Sequence, residues 1–360
     1  MDEKYMKLAI ELAKKGKGQV NPNPLVGAVI VKENRIIGQG YHEKYGHFHA
    51  EVNAFNNVSE SPIGSTLYVT LEPCSHYGKT PPCVDKIIEN QISKVVIGCL
   101  DPNPLVSGRG VKKLQEAGIE VVTGVLETEC RRLNEVFMNY IVNQTPFVVL
   151  KTAMTLDGKI ATVTGESQWI SGESSRKQVH QLRHEMSAIM VGIETVIHDD
   201  PLLTCRLEGG RHPIRIIVDS QLRIPLQAKV ITNQEAKTII ATTELASDAK
   251  INVLKEQGID VLIIPIKNSR VDLEQLMIEL GKLGIDGILL EGGSTLNFSA
   301  LEASIVDKVQ FYIAPKLLGG QTSKTPIEGN GISSLADVIK VEEMSVQIIG
   351  EDVLIEGYVN

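Results

Sequence analysis

A chain of 360 residues that is 42% hydrophobic and 22% charged, with mean hydropathy near zero, has the make-up of a globular protein long enough for two cores. A net charge of −8 with only 4% aromatic residues argues against a nucleic-acid groove, which needs a basic stripe and stacking rings. The start, Met1 to Lys15, lacks the apolar stretch of a signal peptide, and no run approaches the roughly eighteen apolar residues of a membrane span. Five thinly spread cysteines suggest no oxidising compartment. A cytoplasmic protein is expected, with a small-molecule substrate and neither membrane nor nucleic acid as partner.

In chain order, Met6, Ala9, Ile10 and Ala13 repeat at helical spacing until Gly16. Leu25–Val31 and Ile36–Tyr41 read as strands joined by a polar turn at Lys32–Arg35. A helix from His49, a strand at Thr66–Thr70, a helix after Pro82 and a strand at Lys94–Cys99 follow. Then come a helix after Arg109, a strand at Ile119–Thr123 and one helix near Arg131–Val142. This alternation implies a mostly buried sheet covered by helices. Asn143–Pro146 reads as a linker, which divides the chain into residues 1–144 and 145–360. A second α/β pattern begins at Phe147–Lys151, with strands at Ile214–Asp219, Thr238–Thr242, Asp260–Ile264, Gly287–Glu291, Lys308–Ala314 and Val353–Tyr358.

The chemistry concentrates in His49-Ala50-Glu51, followed by Pro73-Cys74 and then Cys83. One imidazole and two thiols that meet in space give Zn²⁺ three ligands and leave a fourth position for water. Zinc lowers the pKa of such a water to about 7, and Glu51 is the carboxylate within reach to move its proton. Residues i and i+2 do not share a helix face, so His49 and Glu51 converge only if the helix tip points at the metal. Cys83 follows Pro81-Pro82, at the start of a predicted helix where a thiolate is favoured. The order H-x-E, then P-C, then C is that of zinc-dependent base deaminases, although eight residues separate the cysteines here where the general pattern has two. A closed structural zinc site, with His42, His47 or His76 as fourth ligand, is the main rival.

Cys74-Ser75-His76-Tyr77-Gly78-Lys79-Thr80-Pro81-Pro82-Cys83 resembles the long inter-cysteine loop of the bifunctional deaminase/reductases of riboflavin biosynthesis. The likeness extends over essentially the whole chain. It includes Asn23-Pro24-Leu25-Val26-Gly27, Asp101-Pro102-Asn103-Pro104, Thr155-Leu156-Asp157-Gly158-Lys159-Ile160-Ala161, Asp199-Asp200-Pro201-Leu202-Leu203-Thr204-Cys205-Arg206 and Glu291-Gly292-Gly293-Ser294. The resemblance implies a three-layer, cytidine-deaminase-like N-terminal domain followed by an α/β domain that looks like dihydrofolate reductase. It implies one Zn²⁺ per chain and NADPH as cofactors, a pyrimidine ribotide as substrate, and a homo-oligomer.

By the same resemblance Asn23, His42, His76, Lys79, Asp101 and Asn103 meet the deaminase substrate. Read physically, Asp101 and Asn103 follow a strand's carboxyl end, the usual place for ligands in open sheets, though Asp-Pro-Asn-Pro is equally a simple turn. Cofactor contacts are implied at Ala153, Trp169, Thr195, Asp199 and the stretch Gly292, Gly293, Ser294, Thr295, Leu296 and Asn297. That stretch follows a strand and reads as a phosphate cradle of backbone amides, but a lone tryptophan such as Trp169 is more often core. Reductase substrate contacts are implied at Ser167, Arg183, Leu203, Arg206, Ser220 and Glu291. Two arginines suit a phosphate, whose oxygens match the guanidinium fork. No residue stands out as a proton donor for the reduction. Two other readings stay open: a stand-alone nucleoside or RNA-base deaminase with an unrelated C-terminal domain, and a non-catalytic zinc-stabilised binding protein.

Overall fold

Met6, Ala9, Ile10 and Ala13 form the buried stripe of the first helix, α1 (Asp2–Lys14). The computed structural model describes residues 1–75, 81–103 and 107–359, and chain contacts divide into two units, Met1–Gln144 and Thr145–Asn360. In the first unit α1 leads to β1 (Gly27–Lys32) and β2 (Arg35–Tyr41), a hairpin turned at Glu33 and Asn34, both at positive φ. There follow α2 (Ala50–Asn56), β3 (Thr66–Leu71), α3 (Cys83–Glu89), β4 (Lys94–Cys99), α4 (Arg109–Glu116), β5 (Glu120–Thr123), α5 (Glu127–Leu133) and α6 (Glu135–Asn143). The sheet order is β2-β1-β3-β4-β5, with β1 antiparallel to both neighbours and the rest parallel. Ala50, Ala54, Phe55, Val84, Ile87 and Leu114 pack α2, α3 and α4 on one face. Met6, Ala9 and Cys130 pack α1 and α5 on the other, which makes three layers.

The single helix expected near Arg131–Val142 is two. The chain leaves helical geometry at Asn134 (φ −113°), whose buried carboxamide accepts from the Leu25 N–H (2.8 Å) and donates to the Leu25 carbonyl (3.0 Å). Asparagine competes with the helix for backbone partners. Here the partner lies 109 residues away, beyond the reach of any periodicity.

The second unit runs through β6 (Phe147–Thr155), α7 (Glu173–Glu185), β7 (Ala188–Gly192), α8 (Ile193–Asp199), β8 (Ile214–Val218), α9 (Lys229–Thr232), β9 (Thr238–Thr242) and α10 (Asp248–Glu256). It continues with β10 (Asp260–Ile263), a small ribbon of β11 (Ile266–Lys267) and β12 (Arg270–Val271), α11 (Leu273–Lys282), β13 (Gly287–Leu290) and α12 (Ser294–Glu302). It ends with β14 (Lys308–Ala314), β15 (Val341–Ile349) and β16 (Asp352–Val359). The main sheet has the order β10-β9-β8-β7-β13-β6-β14-β16-β15, parallel up to β14 and antiparallel in its last two pairings. Leu276, Leu280, Leu296 and Ala300 from α11 and α12 cover one face, and Val196, Val230, Ile231 and Leu254 from α8, α9 and α10 cover the other. β7, β11, β12 and β15 have no counterpart among the strands that the sequence predicts. No described helix is long and apolar enough to cross a membrane.

Candidate functional sites

The tips of two helices meet in the first unit. His49 is the N-cap of α2, in extended conformation, and Cys83 is the first residue of α3, directly after Pro82. Cys74 lies three residues past the end of β3. His49 Nδ1 is 3.3 Å from Cys83 Sγ and 3.6 Å from Cys74 Sγ, and the three donor atoms lie within 4.8 Å of one another. Tetrahedral zinc with bonds of about 2.3 Å to sulfur and 2.0–2.1 Å to nitrogen sets its ligands roughly 3.5–3.8 Å apart, so this donor set fits the ion. Hydrogen bonding with Cys83 pulls the Cys74 thiol down to about 4, while the same bond drives Cys83 up. The downward shift at Cys74 favours the thiolate form in which a cysteine binds metal.

Glu51, in the first turn of α2, is 3% exposed beside this cluster, and burial raises its carboxyl despite the nearby His49. His42 Nε2 lies 3.1 Å from the Asn23 amide nitrogen and His42 Nδ1 lies 3.0 Å from the Phe48 carbonyl. With both ring nitrogens engaged, His42 is not a fourth ligand, and its ring instead stands edge-on to His49 at 5.6 Å. Asp101 and Asn103 follow β4, with the Asn103 N–H donating to Asp101 Oδ1 (2.8 Å). His76 and Lys79 lie outside the described residues.

In the second unit a groove of about 1600 Å³ opens at the carboxyl ends of β6, β7, β8 and β13. At its floor Arg183 grips Glu291 with two parallel hydrogen bonds (2.7 and 3.0 Å), and Lys151 Nζ lies 3.4 Å from the same carboxylate. Burial alone would raise the Glu291 carboxyl, but Arg183 and Lys151 outweigh it and hold it down to about 2. His180 lines the same wall, held down to about 4 by burial and by Arg183 and Arg206, and its Nδ1 accepts from the Arg206 N–H (3.3 Å). Sequence reasoning missed Lys151 and His180. The signal for Lys151 was available as the one charge within Phe147-Val148-Val149-Leu150-Lys151-Thr152-Ala153-Met154-Thr155.

Gly292 and Gly293 open onto α12 with φ of +133° and +80°. A Cβ on either would meet nothing closer than Thr195 Oγ1, at 3.9 and 3.7 Å, so backbone conformation and not space calls for glycine. A glycine pair that leads into a helix N-terminus at the edge of a large groove fits the phosphates of a dinucleotide. Ala153, Ser167, Trp169, Thr195, Asp199, Arg206, Ser220, Ser294, Thr295, Leu296 and Asn297 also line the groove. Trp169 is not core. It is 58% exposed, with the Arg176 guanidinium 4.9 Å from its ring centre. Leu203 departs the other way: it is not among the groove-lining residues, and its side chain packs in the core with Ile189 and Ile217. The Asn297 NH₂ donates to the Pro326 carbonyl (2.9 Å), while its buried Oδ1 has no hydrogen-bond partner among the described residues.

Residues 1–99 match the cytidine and deoxycytidylate deaminase zinc-binding region, and residues 146–355 match the RibD C-terminal domain. The riboflavin biosynthesis protein RibD of Actinobacillus pleuropneumoniae is 53% identical over 99% of this chain and 94% of its own length. Its counterpart in Escherichia coli is 40% identical over 98% of both chains. Among solved structures, a diaminohydroxyphosphoribosylaminopyrimidine deaminase/5-amino-6-(5-phosphoribosylamino)uracil reductase from Thermotoga maritima superposes with a TM-score of 0.86 at 40% identity, covering 100% of this chain and 99% of that one. Matches of this extent through both units set aside an unrelated C-terminal domain. The chain belongs to the RibD family of bifunctional deaminase/reductases of riboflavin biosynthesis.

Proposed function

We propose that residues 1–144 remove the 2-amino group of 2,5-diamino-6-ribosylamino-4(3H)-pyrimidinone 5′-phosphate. Residues 145–360 then reduce the ribosyl group to ribityl with NADPH, giving 5-amino-6-ribitylamino-uracil 5′-phosphate. The observation that carries this is the convergence of His49, Cys74 and Cys83 beside buried Glu51, on one chain with the Lys151–Arg183–Glu291 groove. His49, Cys74 and Cys83 hold zinc, which supplies a hydrolytic nucleophile at neutral pH. Glu51 takes one proton from the attacking water and delivers it to the ring nitrogen, then carries the second, from the newly added hydroxyl, to the leaving amine. Asn23, Asp101 and Asn103, with His76 and Lys79, bind the ribotide, and His42 takes part by holding the Asn23 amide.

In the reductase, Gly292–Asn297, Ala153, Trp169, Thr195 and Asp199 hold NADPH, the hydride source. Arg183, Arg206, Ser167, Ser220 and Glu291 hold the sugar phosphate. Lys151 joins them as an ammonium poised to hold or protonate a sugar oxygen. Leu203 acts from beneath, by packing, with its backbone in the left-handed region (φ +53°). The purified protein should convert the diaminopyrimidinone ribotide to the deaminated product alone, and to the ribityl product when NADPH is added. Cys83→Ser should lose its zinc and the first product while still reducing the deaminated ribotide, as read by metal analysis and product mass. Zinc retained in that variant would place the ligands elsewhere.

The acidic charge and the spread of five free cysteines support a cytoplasmic protein without a nucleic-acid partner. A homo-oligomer is favoured by β15, which among the described residues pairs only with β16 and exposes Met344, Val346 and Ile348 to 59, 64 and 71%. Glu342, Glu343 and the adjoining bulge blunt the start of its open edge, but residues 344–349 are left without charge. Antiparallel self-pairing about a two-fold covers such an edge with a second copy of itself. Val346→Lys should shift the mass measured by light scattering to that of a monomer; a wild-type monomer at micromolar concentration would refute the assembly.

A further inference from the structure

Glu72 follows β3 directly and stands two residues before Cys74, yet its carboxylate is not among the clustered donor atoms and the residue is 3% exposed. A carboxylate so far out of water needs compensation. Four backbone N–H groups provide it: Gly110 (3.0 Å) and Val111 (3.3 Å) donate to Oε1, and Gly108 (3.0 Å) and Asp101 (3.3 Å) donate to Oε2. Its own N–H donates to the Cys99 carbonyl at the end of β4 (3.0 Å). One side chain thus ties together the end of β3, the exit from β4 and the first turn of α4. It grips the segment that carries Asp101 and Asn103 at both ends.

The neighbouring residues are shaped to this grip. A Cβ on Gly110 would lie 2.4 Å from the Pro73 carbonyl and 3.1 Å from Glu72 Oε1, so α4 starts in direct contact with the chain leading to Cys74. The charge matters as well as the shape. Four donors need acceptors on both oxygens, and a negative group is favoured at a helix N-terminus. An amide in the same place offers one oxygen and turns its NH₂ towards two of the N–H groups.

We propose that Glu72 is a positioning residue of the deaminase, setting the distance between the strand end that delivers Cys74 and the loop that presents Asp101 and Asn103 to the pyrimidine ribotide. The proposal rests on the reading above that this loop meets the substrate. It follows that Glu72 governs ribotide binding and leaves both the zinc and the proton shuttle in place.

Deaminase kinetics on the zinc-loaded full chain test it with Glu72→Gln, Gly110→Ala and Asn103→Ala. Glu72→Gln should keep about one zinc per chain, raise KM for the ribotide about 10- to 100-fold, and hold kcat within about threefold. Reductase rates should not move. Gly110→Ala pushes α4 off Pro73 and crowds Glu72 Oε1 while leaving the carboxylate itself in the chain, and should raise KM in the same way, so it decides the matter if Glu72→Gln fails to fold. An unchanged KM in Gly110→Ala together with a mere loss of melting temperature in Glu72→Gln would reduce Glu72 to a helix cap and overturn the proposal. So would loss of zinc, or a fall confined to kcat. A raised KM in Glu72→Gln beside an unmoved KM in Asn103→Ala would instead sustain the positioning role through Asp101 and overturn the direct contact of Asn103 with the ribotide.

Discussion

Glu51→Gln should lower deamination by about 10²–10⁴-fold or more while zinc stays bound and the reductase works normally. The substitution keeps the shape of a side chain that is 3% exposed and removes only its capacity to carry a proton. That capacity is needed more than once in a turnover, when the water is deprotonated and again when the ring nitrogen and the amine are protonated. Burial already raises the Glu51 carboxyl, which brings its proton affinity closer to what a shuttle near neutrality requires. The ligand atoms belong to His49, Cys74 and Cys83, so metal analysis should match wild type. Near-normal deaminase turnover in Glu51→Gln would defeat the assignment.

Arg183→Ala should have a comparable effect in the other unit. Arg183 and Glu291 are 15% and 8% exposed, and removing the guanidinium leaves the carboxylate buried, with Lys151 the remaining cation paired to it among the described residues. Breaking a buried pair on one side costs about 3–5 kcal/mol. The pH dependence carries a signature. In wild type the Glu291 carboxyl is held down to about 2 against an ordinary 4.5, so its contribution to stability is complete above about pH 4.5 and is lost as pH falls towards 2. In Arg183→Ala the carboxyl titrates higher, and the acid transition moves up with it. Melting temperature between pH 2 and 6 reads this directly. Reductase kinetics should show the loss falling on the ribotide more than on NADPH, and an equal loss for both ligands would deny Arg183 its place at the sugar phosphate.

Much of the fold was legible because short apolar runs were bounded by polar residues. The strands Lys94–Cys99, Thr238–Thr242 and Lys308–Ala314 have in the structure the bounds that the sequence implies. β15 was not legible, because every residue before Ile349 is exposed and a bulge between Glu342 and Ser345 disrupts its alternation. The metal cluster could be read from residue type and order, since the chemistry tolerates few substitutes for imidazole and thiolate. Glu72 and His180 could not, and Lys151 showed only as a lone charge in an apolar strand, without its role. Their meaning lies in partners brought close by folding: the donors to Glu72 come from 29 to 39 residues further on, and Lys151 meets Glu291 across 140 residues. Trp169 and Leu203 exchange the places that their polarity and motif suggested, because the groove wall is set by the path of the backbone.

β13 also determines when the reductase becomes a protein at all. It lies between β6 and β7, pairing Gly287 with Phe147 and Leu290 with Met190, although it is made more than ninety residues after either. A nascent chain or proteolytic fragment that stops before Gly287 has two central strands with unpaired inner edges, and it lacks both Glu291 and the cradle at Gly292–Asn297. Contacts of such long range form slowly and together. The second unit should therefore assemble in one late, cooperative step, and premature termination upstream of β13 should yield an aggregation-prone chain and not a weaker reductase.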